Sequence, residues 1–340
     1  MKKIQTENAV GHILCHDQTQ ITENAGGGVL FKKGHIVREE DIEKLLAAGK
    51  SHIYIYQAGQ DMVHEDDAAG LLYAACAANN MKPTPVREGK IEIIAEEGGL
   101  LKVDTQRLAA VHDLGNIVIA TRRNNTVIKK GDKLAGMRVI PLVIEKSVLD
   151  EVKKISDDRP LLEIKPFHKF NVGLVITGSE IHSGRIKDGF TAVIEQKLAA
   201  YNLKIDCRKV ADDDALSIKS AIEQCLEAGA NLILCTGGMS VDPDDITPSA
   251  IRAAGASILS YGAPVLPGSM LLLGYMETGA AIFGIPACAM YAKTTSFDLL
   301  FPRVLAKDTI TKKEIASLGH GGLCLKCPAC SFPNCEFGKG

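Results

Sequence analysis

Two hydrophobic rhythms divide this chain. From Ser51 to Tyr56 apolar and polar residues alternate, as in a strand with one wet face. From Val172 to Ile176 every position is apolar or glycine, the pattern of a strand buried on both faces. Before about residue 166 the first rhythm dominates. Ala9–Cys15 and Val29–Phe31 are short apolar stretches, the latter following the triple glycine Gly26–Gly28. Ile42, Leu45 and Leu46 lie at helical spacing in Arg38–Ala48, which Gly49 is placed to end. A second helix is predicted over Asp66–Asn79, and Pro83-Thr84-Pro85 marks a boundary. Residues 88–145 read as mostly β, with runs at Ile91–Ala95, Leu100–Asp104, Gly115–Thr121, Thr126–Ile128 and Met137–Ile144. A helix over Ser147–Ile155 then leads into a linker, Asp157–Pro166.

Beyond Pro166 strands and helices alternate with short connections. Strands are expected at Val172–Ile176, Lys204–Val210, Asn231–Cys235, Met270–Leu273 and Ala280–Ile285. Helices are expected at Phe190–Tyr201, Ala215–Ala228, Pro248–Ala254 and Ala287–Leu305. This is an α/β pattern: a mainly parallel sheet in a three-layer α/β/α arrangement, preceded by smaller α+β and β-rich domains. The predicted division is 1–82, 83–166, 167–310 and a cysteine-rich tail, 311–340. Ligands of such sheets sit at the carboxyl ends of the strands.

Composition narrows the function classes. With 340 residues, 46% hydrophobic and 24% charged, the chain is long enough for two to three domains. A net charge of −2 and the absence of tryptophan argue against nucleic acid or anionic lipid as partner. The Met270–Ala292 stretch is interrupted by Glu277, glycines and Pro286, so it reads as buried strands rather than a membrane span. With no apolar signal core at the N-terminus, the expected location is cytoplasmic.

The unusual residues stand where the strands end. The first ends in Thr177-Gly178-Ser179-Glu180, with Arg185 and Lys187 shortly after, and the second near Asp212-Asp213-Asp214. The third ends in Thr236-Gly237-Gly238-Met239-Ser240, followed by Asp242, Asp244, Asp245 and Thr247-Pro248. Paired glycines let backbone approach a phosphate or pterin closely, although the same turn can be merely tight. Thr247-Pro248 reads as an N-cap followed by proline, a helix start able to hold an anion, and Arg252 is a further anion contact. So many aspartates near one sheet edge repel one another, which a divalent cation, magnesium above all, would relieve.

In order and spacing these motifs resemble the molybdopterin-binding domain shared by molybdopterin adenylyltransferases and molybdotransferases. Asp245-Ile246-Thr247-Pro248 is closest to the former, and Pro267-Gly268-Ser269 with Gly284-Ile285-Pro286-Ala287 to the latter. The resemblance implies binding of molybdopterin, adenylylation by ATP with Mg2+, and displacement of the adenylate by molybdate. It implies that Thr177, Gly178, Ser179, Glu180, Thr236, Gly237, Gly238, Ser240, Pro267 and Gly268 hold the pterin and its phosphate. Asp212 and Asp245 would be the carboxylates at the metal and the reacting phosphate. The chain departs from the family at Gly284-Ile285-Pro286-Ala287-Cys288-Ala289, where the molybdotransferases carry Gly-Leu-Pro-Gly-Asn-Pro, and that departure bears on molybdenum insertion. The competing readings are a non-catalytic carrier or sensor of the cofactor that serves a molybdoenzyme client, and a nucleotide pyrophosphatase of the competence-damage-inducible type. The N-terminal stretch resembles β-clip modules and the middle one accessory β domains, both compatible with roles in shape and in a homodimer.

Ten cysteines complete the inventory. Six are scattered; Cys324, Cys327, Cys330 and Cys335 cluster with gaps that let four thiolates converge on zinc or an iron–sulfur cluster. His320 is a spare candidate ligand. Capture of molybdenum by these soft thiolates is the other use considered.

Overall fold

A computed structural model describes residues 2–20, 28–55, 61–156, 159–183, 185, 188–240 and 245–339. The chain divides into two compact units, Met1–Ile164 and Lys165–Gly340.

The first unit holds two cores. In the smaller one, Ala9, Leu14, Val37, Leu45, Ile53 and Ile55 come together where strand Lys2–Gln5 pairs antiparallel with His52–Ile55 beside helix Glu39–Ala47. The larger one lies between helices Glu65–Cys76 and Lys146–Ser156 and a four-stranded antiparallel sheet built on Ile91–Ala95 and Lys133–Val139. Two features depart from the sequence reading. Thr105–Asp113 is a helix inside the stretch expected to be mostly β, because the Asp104 side chain accepts the Arg107 amide and starts it. The expected linker contains a strand, Leu162–Lys165, whose Leu162 and Ile164 are buried.

In the second unit β1 (Val172–Thr177), α1 (Phe190–Ala199), β2 (Ile205–Ala211), α2 (Ala215–Glu227), β3 (Leu232–Thr236) and α3 (Thr247–Ala253) alternate. They are followed by β4 (Ser257–Tyr261), β5 (Leu272–Tyr275), β6 (Ala281–Ile285), α4 (Ser296–Leu305) and α5 (Lys312–Ser317). The strand order is β2-β1-β3-β6-β5-β4. The first four strands are parallel; β5 and β4 add an antiparallel margin.

Period-two alternation sorts the central strands between two cores. Leu174, Ile176, Leu232, Leu234, Phe283 and Ile285 face α1 and α4 on one side. Val175, Ile233, Cys235 and Ile282 face α2 and α3 on the other. Three aromatic rings, Phe283, Phe297 and Phe301, fill the first core, and Phe297 stacks on Phe301 at 4.6 Å. Each buried ring contributes about 1.5–3 kcal/mol. The three-layer α/β/α reading holds. Among the described residues no helix is long and apolar enough to cross a membrane.

The helix expected over Ala287–Leu305 is two elements. A 3-10 turn, Ala287–Met290, is separated from α4 by an irregular stretch ending at Thr295, whose side chain and that of Asp298 cap α4 reciprocally. Strand β4 was not expected; β5 begins two residues later than predicted. Thr247 is not the N-cap of α3 but its first residue, after Ile246.

Candidate functional site at the strand ends

Parallel pairing of β1 with β3 brings Thr177 beside the end of β3, since Ile176 is in register with Thr236. The chain then turns through Gly237 and Gly238, at φ of 90° and 55°. Both positions are closed to side chains. A Cβ on Gly237 would stand 2.5 Å from the Thr177 carbonyl oxygen, and one on Gly238 2.7 Å from the Thr247 hydroxyl. Thr247 Oγ1 donates to the Gly237 carbonyl at 2.8 Å, and its amide donates to the Gly238 carbonyl at 3.2 Å. The turn is therefore pinned at both ends. Its bare backbone lies at the carboxyl ends of the central strands. Tyr261 Oη donates to the carbonyls of Met239 and Ser240, tying β4 to the same loop. Thr236 is fully buried, and its hydroxyl finds no partner among the described residues.

On the β2 side the aspartates are occupied rather than in conflict. Ser179 Oγ donates to Asp212 at 2.6 Å, and the Ser179 amide donates to Asp213 at 2.7 Å. Asp214 caps α2 by accepting the Leu216 and Ser217 amides. Asp245 lies near Tyr261. Burial raises the Tyr261 hydroxyl's pKa, and the negative charge of Asp245 raises it further.

Hydroxyl and amide donors thus engage the aspartates on the β2 side of the expected carboxylate cluster. Among the described residues no three of His, Cys, Asp or Glu converge as a metal site. Asp242, Asp244 and Lys187 lie outside the described residues. Glu180 is exposed, and its carbonyl accepts the Arg185 amide. Arg252 is exposed on α3, a helix of seven residues whose leading hydroxyl donates to the Gly237 carbonyl.

Residues 173–306, which span this sheet and its loops, match the family described as a probable molybdopterin binding domain. Residues 173–306 thus carry a domain similar to that family. Residues 3–57 match a domain described only as being of unknown function. A molybdopterin molybdenumtransferase of Synechococcus elongatus is 22% identical over 246 residues, 68% of this chain and 57% of that protein. A CinA-like protein of Syntrophus aciditrophicus is 30% identical over 83 residues, 24% of this chain and 20% of its own length. The chain thus spans well under two thirds of these curated relatives. Among solved structures, the molybdopterin biosynthesis enzyme MoaB of Thermus thermophilus is similar over 40% of this chain and 92% of its own, at 22% identity and a TM-score of 0.36.

Within the molybdopterin-binding domain, Pro267 and Gly268 belong to a different neighbourhood from the double-glycine turn. Gly268 is buried against Ser296, whose hydroxyl donates to the Gly268 carbonyl, and the Ser296 amide donates to the Pro267 carbonyl. The Gly268 amide is also near the Cys288 thiol, which burial raises in pKa.

Here the cysteine-rich segment docks. The Cys324 amide donates to the Leu266 carbonyl and the Leu266 amide to the Gly322 carbonyl, both at 2.8 Å. Phe337 is buried in the core of β1 and α4. A cavity of about 440 Å³ opens between this segment and the 288–294 stretch, and Cys288, Cys324, Cys327, Cys330 and Cys335 all line it. The four tail thiols therefore surround a space instead of meeting at a point. Cys330 stands 3.6 Å from Thr294 Oγ1. The Phe332 amide, that hydroxyl and the charge of Lys293 lower its pKa. His320 is exposed and does not line the cavity. The sequence motif marked the four tail cysteines, but Cys288 had only its position in the altered loop to signal it.

Proposed function

We propose that the chain binds molybdopterin at the carboxyl edge of the sheet and acts in molybdenum cofactor assembly, by MgATP-dependent adenylylation of molybdopterin or by molybdenum insertion. The observation that carries this reading is the double-glycine turn. Thr177 and Thr247 leave no room for a side chain at Gly237 or Gly238, and such bare left-handed backbone is what a phosphate group requires. Ser179, Asp212 and Asp213 stand at the two neighbouring strand ends, where they would orient the reacting phosphate. A magnesium ion commonly keeps one or two protein carboxylates and takes its other ligands from water and phosphate. With that ion bound, neutralising phosphate charge is the chemistry it supplies.

A second reading, a non-catalytic carrier or sensor, is favoured by one observation. The Ala287-Cys288-Ala289 turn, where the molybdotransferases carry glycine and asparagine, lies beside the cavity formed with the cysteine-rich segment.

The test is to incubate the full chain with molybdopterin, MgATP and molybdate, and to follow adenylylation and molybdenum incorporation separately. Turnover of either kind supports the first reading. Tight pterin binding without turnover selects the carrier. Hydrolysis of ADP-ribose, with no pterin binding, would replace both with a nucleotide pyrophosphatase.

A further inference from the structure

We propose that the cavity between Cys288 and the cysteine-rich segment is a thiolate site for a thiophilic metal centre, with Cys288 of the molybdopterin-binding domain as a ligand alongside the segment's own cysteines. The inference stands apart from pterin binding, so failure of either leaves the other intact.

Three observations carry it. First, five of the ten cysteines line one space of about 440 Å³. No other ligating residue type is gathered there in that number, and thiolates are what zinc and iron–sulfur clusters take. Second, the walls are anchored unequally. Cys288 sits in the 3-10 turn after β6, Cys324 is held to Leu266 by the backbone, and both Cys324 and Cys335 pack against the core. Cys327 and Cys330, by contrast, are exposed in a stretch without helix or strand. A metal thus meets three thiols of fixed address and two able to swing inward, which reconciles a shared cavity with thiols that do not yet meet. Third, the segment is already docked onto the domain. Closing the site moves side chains, not the whole tail.

Each coordinating thiol releases its proton to solvent; binding Zn2+ changes no oxidation state, and a mixed-valence cluster takes its ferric share from Fe3+ supplied with the Fe2+. A bound metal would join the loop containing Cys288 to the segment that crosses Pro267, fixing the two with covalent-like bonds. Zinc alone and an iron–sulfur cluster share this thiolate chemistry, and the test separates them.

The full chain is purified without oxygen, stripped by chelator with reductant present, and refilled with Zn2+ alone or with Fe2+, Fe3+ and sulfide. Accessible thiols are then alkylated with iodoacetamide and mapped by mass spectrometry. The expected result is metal-dependent protection of Cys288 together with at least three of Cys324, Cys327, Cys330 and Cys335, while Cys207 on β2 alkylates as before. Retained acid-labile sulfide identifies a cluster; stoichiometric zinc without sulfide identifies a single ion. Cys288→Ser removes a direct ligand and is expected to weaken retention of the metal by at least the roughly 10-fold that loss of an outer-shell partner costs. Protection is read on the wild-type chain, so it does not depend on that variant folding. Protection confined to the four tail cysteines, no protection with either metal, or disulfides among these thiols in the anaerobic protein would each overturn the proposal.

Discussion

Thr247 reaches back from the first turn of α3 to donate its hydroxyl to the Gly237 carbonyl at 2.8 Å. With the Thr247 amide, which donates to the Gly238 carbonyl, this bond holds the double-glycine turn against the end of β3 without any side chain on the turn itself. Replacing Thr247 by valine keeps the shape and orphans a partly buried carbonyl, a loss of about 1–3 kcal/mol. Serine restores the donor. Urea unfolding of the three proteins should therefore rank threonine and serine above valine, and pterin binding should fall in the same order. A valine variant that binds pterin like wild type would separate the turn from the ligand.

Gly237→Ala tests the turn directly. The new Cβ meets the Thr177 carbonyl at 2.5 Å on a backbone at φ 90°, so strain alone should destabilise the domain by about 1–3 kcal/mol. Calorimetric titration with molybdopterin should show binding lost even at temperatures where the variant stays folded. Retained affinity would remove this turn from the site.

Asp245→Asn and Asp212→Asn distinguish the two acidic neighbourhoods. Asp245→Asn should abolish any magnesium-dependent step while far-UV circular dichroism stays unchanged. Asp212→Asn loosens the acceptor of Ser179 and should raise the KM for the pterin as well as lower kcat. Normal turnover in the Asp245 variant would exclude that carboxylate from the reaction.

Behind the sheet, Arg303 is buried and bonds Asp308 at 2.7 Å and Glu314 at 2.9 Å, while Lys165 also reaches Asp308. Removing one partner strands buried charge. Arg303→Ala should cost about 3–5 kcal/mol in chemical denaturation, and replacing Arg303 and Asp308 together by apolar residues should cost less. A double variant as damaged as the single one would show that packing, not charge, matters here.

The same network sets an acid limb. Burial raises the Glu314 carboxyl, but the Thr311 amide and hydroxyl and the Arg303 guanidinium outweigh it and leave its pKa below the ordinary value. A depressed carboxylate pKa means the unfolded chain binds the proton more readily. Its stabilisation is therefore full above the ordinary value of about 4.3 and disappears as pH falls through the lower folded one. Unfolding free energy measured from neutral pH downward should fall less steeply in Glu314→Gln than in wild type.

Much of this architecture was legible from burial patterns. Val172–Ile176 and Leu232–Cys235 are apolar or glycine throughout because helices cover both faces, and a run of that kind has few other homes. Ser257–Tyr261 escaped notice because an edge strand is only half covered and its register shifts between Ile258 and Ser260, which breaks the alternation. The break at Thr295 depends on a capping partner, Asp298, inside an apolar run that reads as continuous helix. At the site, Gly237-Gly238 announced a tight turn, but which threonines would close it depends on strand register. The contacts of the aspartates were hidden for a similar reason. Their spacing shows crowding, yet the Ser179 donors that relieve it lie across the sheet edge.

The burial of Phe337 among β1 and α4 also bears on how the chain is made. Val172 enters the core early in synthesis of this unit, and Phe337 emerges only after every strand of the sheet. Until then the growing chain carries an unfinished apolar wall, the condition that invites aggregation or chaperone capture. The cysteine-rich segment thus doubles as the closing piece of the core, and its arrival times the completion of the fold.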